Sequence, residues 1–292
     1  MKNKALKRLI YGLSLSLISL TLFSFKSNVI KKDTSSSTNS GFRLRTVVVD
    51  AGHGRMANGV WRGASGAYSQ ESKVTLAVAF KLRAAIEKEL PDIRVVMTRT
   101  DDNDVLWQKR SDIANENKGD LFISLHCNSL PDKVIRRHGR RVHVPDRSGR
   151  GVLLLVYRYG RVGEQEAAIR ENEFEDKNYK QDSELNPNDP ASIILLNAFK
   201  DKYRKQSLRF ADLVNDEFTG TDGRQSEGVR EQGVLVLCRS AMPSVLIEMG
   251  YINNPIDEDY LNSESGQNEI VNTIVRALKI YKKEVEQSTD TN

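Results

Sequence analysis

The chain has 292 residues, 39% hydrophobic and 28% charged, and its 44 Lys and Arg against 39 Asp and Glu leave a formal charge of +5. That much apolar material excludes disorder of the whole chain, and the length suits one large domain or two small ones. The charge does not mark a nucleic-acid binder. Lys2, Lys4, Lys7, Arg8 and Lys26 all precede the first acidic residue, and subtracting these five from the 44 leaves 39 basic against 39 acidic residues.

Residues 1–27 read as a signal peptide or N-terminal anchor. The apolar run Leu9 to Phe25 follows a basic n-region and, at 17 residues, is shorter than the roughly 20 that span a bilayer. No small-x-small cleavage site follows, so retention as an anchor stays open beside cleavage, and membrane contact depends on retention. The expected location is exported, in the periplasm or cell envelope. Residues 28–43, which include DTSSSTNSG, read as a flexible linker.

Beyond it, short runs rich in Val, Ile and Leu predict strands at Arg45–Asp50, Ile93–Thr98, Leu121–Cys127, Val152–Tyr157, Val234–Leu237 and Val245–Glu248. Apolar residues at three- and four-residue spacings predict helices at 71–90, about 105–117, about 192–218 and about 264–284. This alternation predicts an α/β fold: a single domain over 44–285, with a twisted, mostly parallel or mixed sheet of about six strands and helices on both faces. Residues 286–292 read as a disordered tail. Two stretches interrupt the pattern. Residues 131–151 carry seven Lys or Arg against two Asp and read as a basic loop, while 164–189 carry nine Asp or Glu against three Lys or Arg and open an acidic insert reaching about 200.

Open α/β sheets bind ligands outside the carboxyl ends of their strands, and those ends are polar here. TVVVD leads into His53, LFISL into His126 and Asn128, and SVLI into Glu248, while Glu71 opens the helix that returns to the same edge. Two imidazoles and a carboxylate form a His₂Glu site of the hydrolytic zinc kind, in which water is acidified to a pKa of about 7. His53, Glu71 and His126 are therefore expected to hold Zn²⁺, with Glu248 as general acid/base. His138 and His143 are expected to be solvated, and Arg99 and Arg110 to pair with carboxylates. Cys127 and Cys238 each end an apolar run and read as small buried residues; export would allow a disulfide, but spacing does not establish one.

VVVDAGHG, Glu71, VVMTR, LWQKRSDIAN, DLFISLHCN and VLVLCRSAMPSVLIEMGYINNP together resemble the zinc-dependent N-acetylmuramoyl-L-alanine amidase family, catalytic domain type 3, and its cell-division members in particular. The resemblance implies zinc on His53, Glu71 and His126, catalysis by Glu248, and hydrolysis of the amide joining N-acetylmuramic acid to L-alanine in peptidoglycan, for wall remodelling or daughter-cell separation. Arg55 departs from the family's usual second glycine and is expected, with Asn128, to touch substrate. Cys127 replaces a common alanine and is expected to point away from His126. Glu164 to Asp176, EQEAAIRENEFED, resembles a segment that occludes the active site in cell-division amidases. Glu171, Glu173 or Glu175 would then be an autoinhibitory plug that an activator protein relieves; a charged, solvated excursion is the other reading. Two further alternatives stand beside the amidase: a non-catalytic wall-binding scaffold, and a zinc hydrolase acting on another peptidoglycan bond.

Overall fold

The structure, a computed structural model, describes residues 42–158 and 190–287. In chain order its elements are β1 (Thr46–Ala51), α1 (Glu71–Glu89), β2 (Arg94–Met97), α2 (Trp107–Glu116), β3 (Leu121–Asn128), β4 (Lys133–Arg137), β5 (Arg140–Val144), β6 (Val152–Tyr157), α3 (Pro190–Asp216), β7 (Ser226–Gln232), β8 (Ser244–Tyr251), α4 (Pro255–Asn262) and α5 (Glu264–Gln287). Six strands form one sheet in the order β2-β1-β3-β8-β6-β7. Every neighbouring pair is parallel except β6 with β8. The expected mixed α/β fold is what forms.

Strand alternation sorts the core into two layers. Val47, Val49, Ile123, Leu125, Val245 and Ile247 point to one face, where they pack with Val74, Val78 and Leu82 of α1, Phe210 and Val214 of α3, and Ile270, Ile274 and Leu278 of α5. Val48, Phe122, Leu246, Leu153 and Leu155 point to the other face, against Ala114 of α2 and the one-turn segment Leu235–Leu237. Both faces are covered, which is why β1 and β6 are buried at every position and read as continuous apolar runs. Cys127 and Cys238 are buried in different layers and both are free thiols, so no disulfide joins them.

Three readings of the sequence need correction. Val234–Leu237 is not a strand: Leu235–Leu237 is a single 3-10 turn capping the second layer, and the edge strand is the preceding polar stretch Ser226–Gln232. Edge strands carry charged residues that discourage further pairing, so a search for apolar runs passes over them. The basic stretch 131–151 is not a loop but holds an antiparallel hairpin of β4 and β5, joined by His138 and Gly139, both at positive φ. That two-residue connection matches the twist of the strands. Pro190–Asp216 is helical, so the C-terminal end of the expected 164–200 insert belongs to α3. Helix α4 was not foreseen, although Asn254 caps it by accepting from the Ile256 and Asp257 N–H groups and Pro255 stands at its first turn. Helix α5 runs two residues into the expected tail. Among the described residues no helix is long and apolar enough to cross a membrane. The expected leader, most of the linker, and Glu171, Glu173 and Glu175 lie outside them.

Candidate metal centre

His53, Glu71 and His126 meet at the carboxyl edge of the sheet. His126 follows Leu125 near the end of β3, and His53 stands two residues beyond β1 in the left-handed region, with φ 58°. Gly52 makes the approach possible: a Cβ there would lie 2.5 Å from the His126 ring and 2.7 Å from the Leu125 carbonyl. Glu71 is the first residue of α1 and heads its buried stripe, so packing of Val74, Val78 and Leu82 against the sheet sets its position. Its Oε1 accepts from the Cys127 N–H at 2.9 Å and lies 3.0 Å from His126 Nδ1. Its Oε2 accepts from the Ala64 N–H at 2.6 Å and lies 3.4 Å from His53 Nε2. The two rings sit edge to face with centroids 4.8 Å apart.

One ligand atom from each of the three residues lies within 4.8 Å of the others, and among the described residues this is the cluster able to hold a metal ion. The donor set fits a divalent ion that accepts imidazole and carboxylate together. Burial pushes the Glu71 carboxyl up, but hydrogen bonds and charge from His126 and His53 outweigh it and hold the acid well below the usual carboxylate range. Burial likewise disfavours a charged His126, and the Glu71 hydrogen bond and charge overcome this and raise it.

Glu248 pairs in register with His126 across β3 and β8. Its Oε2 is enclosed and has no hydrogen-bond partner, and burial pushes its carboxyl up to about 7, with the Glu71 charge adding to the effect and His126 opposing it. Beside the two histidines opens a cleft of about 290 Å³, lined by the polar Arg62 and Asp104, by Trp107, and by the apolar Val234, Leu235, Val236 and Leu246.

The sequence profile of the N-acetylmuramoyl-L-alanine amidase family matches residues 47–280. The chain belongs to this family. A relative, N-acetylmuramoyl-L-alanine amidase AmiA of Salmonella typhimurium, is 26% identical over 277 residues, covering 92% of this chain and 90% of its own. The crystal structure of the amidase Ami1 from Mycobacterium smegmatis superposes with a TM-score of 0.57 at 19% identity, over 84% of this chain and 100% of that one. The CwlD amidase of Clostridioides difficile, solved in complex with the GerS lipoprotein, gives a TM-score of 0.55 at 18% identity, over 81% of this chain and 98% of that one. These last two likenesses concern the fold.

Within this amidase fold the remaining expected residues fall in different places. Asn128 ends β3, and its side-chain oxygen accepts from the Ser129 N–H at 2.8 Å. Arg55 donates to the Gly59 carbonyl and lies 5.7 Å from the Trp61 ring centroid, while Arg62 rather than Arg55 lines the cleft. Cys127 points into the opposite layer from His126, as alternation requires, and burial pushes its thiol well up. His138 and His143 are exposed, as expected. Arg110 does pair with a carboxylate, Asp50, at 2.8 Å. Arg99 does not. It donates to the Ala51, Gly52, Ser72 and Asp101 carbonyls instead, four acceptors that a guanidinium can satisfy without a counter-ion.

Sequence reasoning missed the support beneath the site. Asp50, fully buried, accepts from the Thr98 and Ser124 hydroxyls and from Arg110. Arg110 donates onward to the Ala51 carbonyl at 2.5 Å and the His53 carbonyl at 2.7 Å, so the guanidinium fastens the backbone on which the first imidazole is mounted. Glu258, in the first turn of α4, accepts from the Ala67, Tyr68 and Ser69 N–H groups and holds the loop that leads into Glu71. Asp50, a charged residue three positions before His53, was the one available signal, and it does not name its partner.

Proposed function

We propose that this protein is a zinc-dependent N-acetylmuramoyl-L-alanine amidase that acts in the cell envelope on peptidoglycan, in wall remodelling or daughter-cell separation. The observation that carries the reading is the convergence of His53, Glu71 and His126 at one sheet edge beside Glu248, whose enclosed Oε2 has no partner. His53, Glu71 and His126 would hold zinc, which when bound supplies Lewis-acid polarisation of the scissile carbonyl and acidifies water. Glu248 takes a proton from the attacking water and returns it to the departing nitrogen of L-alanine. A carboxyl raised to about 7 performs both transfers near neutral pH. The apolar wall of Val234, Leu235 and Leu246 suits the methyl groups of the lactyl and alanyl units, and Arg62 at the rim suits a carboxylate further along the stem peptide. An activator protein remains part of this proposal, because the similar CwlD amidase is solved with a lipoprotein.

Digestion of purified peptidoglycan followed by mass spectrometry of the released material tests the proposal. Intact stem peptides with a free L-alanine N-terminus are expected, and chelation is expected to stop their release. Fragments cut within the stem would establish a hydrolase of another bond, and no release at all, with or without added zinc and envelope extract, would establish a scaffold.

A further inference from the structure

The hairpin of β4 and β5 grows out of the catalytic edge. Four residues separate the end of β3 from β4, and the base of the hairpin is tied to the segment after β8. The Asn253 amide donates to the Leu130 and Asp146 carbonyls at 3.0 and 2.9 Å, and the Asn254 amide to Arg147 at 2.8 Å. Above that base the two strands pair with each other and are exposed along most of their length. A two-stranded hairpin in water is marginal by itself, and like charges placed opposite one another weaken it further. Here Arg136 faces Arg141 and Arg137 faces Arg140, so four arginines crowd the tip in two like-charged pairs. All four are exposed, and among the described residues none makes an ion pair. Packing alone gives no reason for such a tip; an anionic partner does.

Its chemistry follows from the layout. Alternation places Arg136 and Arg141 on one face of the ribbon and Arg137 and Arg140 on the other. Apolar residues divide in the same way, Val134 to the first face, Ile135, Val142 and Val144 to the second, where Lys133, Arg137 and Arg140 stand among them, so neither face is an apolar one that could enter a bilayer. The hairpin holds no Phe, Tyr or Trp on which a nucleobase could stack. A flat membrane surface would meet one arginine pair and leave the other in water. A cross-linked polymer with carboxylates on all sides would meet both, and guanidinium binds carboxylate in a bidentate fork.

We propose that the β4–β5 hairpin is a substrate-holding arm that engages the stem-peptide carboxylates of peptidoglycan around the bond presented to the metal centre. The inference rests on the amidase reading only in taking peptidoglycan as the polymer.

The test uses the full chain carrying Glu248→Gln, so that the polymer is not consumed, with and without the fourfold change Arg136→Gln, Arg137→Gln, Arg140→Gln and Arg141→Gln. Co-sedimentation is measured with peptidoglycan sacculi stripped of phosphate polymers, with the same sacculi after their carboxyls are converted to amides, and with phosphatidylglycerol vesicles. Four exposed charge contacts of ordinary strength predict a loss of affinity for native sacculi of about tenfold or more in the fourfold variant. On amidated sacculi both proteins should bind alike, at the variant's level. With Glu248 restored, the fourfold variant should keep kcat and KM on a small soluble muropeptide and show a raised KM on sacculi; circular dichroism checks that it is folded. Equal sedimentation of the two proteins with native sacculi overturns the proposal, as does a parent indifferent to amidation, or a difference confined to vesicles. If instead the parent leaves the muropeptide uncleaved while its sacculus binding still depends on the arginines, the amidase reading fails and the arm stands.

Discussion

Ionising Glu248 places a charge where Oε2 has no donor and Glu71 stands close by, and that cost has two measurable consequences. The first is catalytic. Glu248→Gln keeps the volume and removes the proton carrier, so zinc content by metal analysis should be unchanged while peptide release falls by at least about 100-fold, the usual span of a general acid/base. Substantial retained turnover would remove Glu248 from its assigned role. The second is thermodynamic and is read in the chelated protein. Burial raises the folded carboxyl from 4.5 to about 7, so the folded state holds the proton more tightly than the unfolded one. Stability from this group is complete below pH 4.5 and is lost as pH rises through 7, about 3 kcal/mol in all. Denaturant melts should therefore show Glu248→Gln level with the parent at pH 4 and more stable by up to that amount at pH 8. Glu248 and His126 were legible in sequence because each is a polar residue that abruptly ends an apolar run. Cys127, beside one of them, was placed on the correct face by alternation alone.

At the scale of elements, the metal centre depends on how helix and strand are fastened together. Arg110 of α2 reaches under β1 to Asp50 and grips the carbonyls of Ala51 and His53, a left-handed residue that a loose loop would not hold in place. Arg110→Met should destabilise the fold by about 3–5 kcal/mol, since it leaves Asp50 as a buried charge without its cation. Adding Asp50→Asn should recover much of that stability, because the amide oxygen still accepts from Thr98 or Ser124. It should not recover zinc affinity or kcat, because His53 has lost its anchor. If the double variant regains full activity along with its stability, Arg110 is structural only. The sequence predicts a carboxylate partner for Arg110 but neither which one nor its grip on the Ala51 and His53 carbonyls, because an arginine in a helix names no partner until the helix is docked. The edge strand β7 escaped for a related reason: SEGVREQ has no apolar run, and only pairing with β6 makes it a strand. In the hairpin, strand pairing through a two-residue turn overrode a composition that resembled a solvated loop.

For the whole molecule, Glu71 is the point at which three parts of the fold meet. Its carboxylate accepts from the backbone of β3 at Cys127 and from the entry loop at Ala64, while its own backbone begins α1. An ion held by His53, Glu71 and His126 would therefore tie β1, β3 and α1 together, and its binding free energy would appear as folding stability. At a free zinc concentration 100 times Kd the gain is about 2.7 kcal/mol. For a domain of this size that amounts to a rise in Tm of about 5–10 °C. Removing the metal by dialysis against a chelator should lower Tm by that amount, and returning zinc should restore it. Glu71→Gln supplies the control: it keeps an acceptor for the Cys127 or Ala64 N–H but binds the ion poorly, so its Tm should sit near that of the chelated parent and respond little to zinc. A Glu71→Gln protein that still gains the full shift would mean that zinc binds elsewhere, and the three residues at the sheet edge would then be an ordinary hydrogen-bonded cluster.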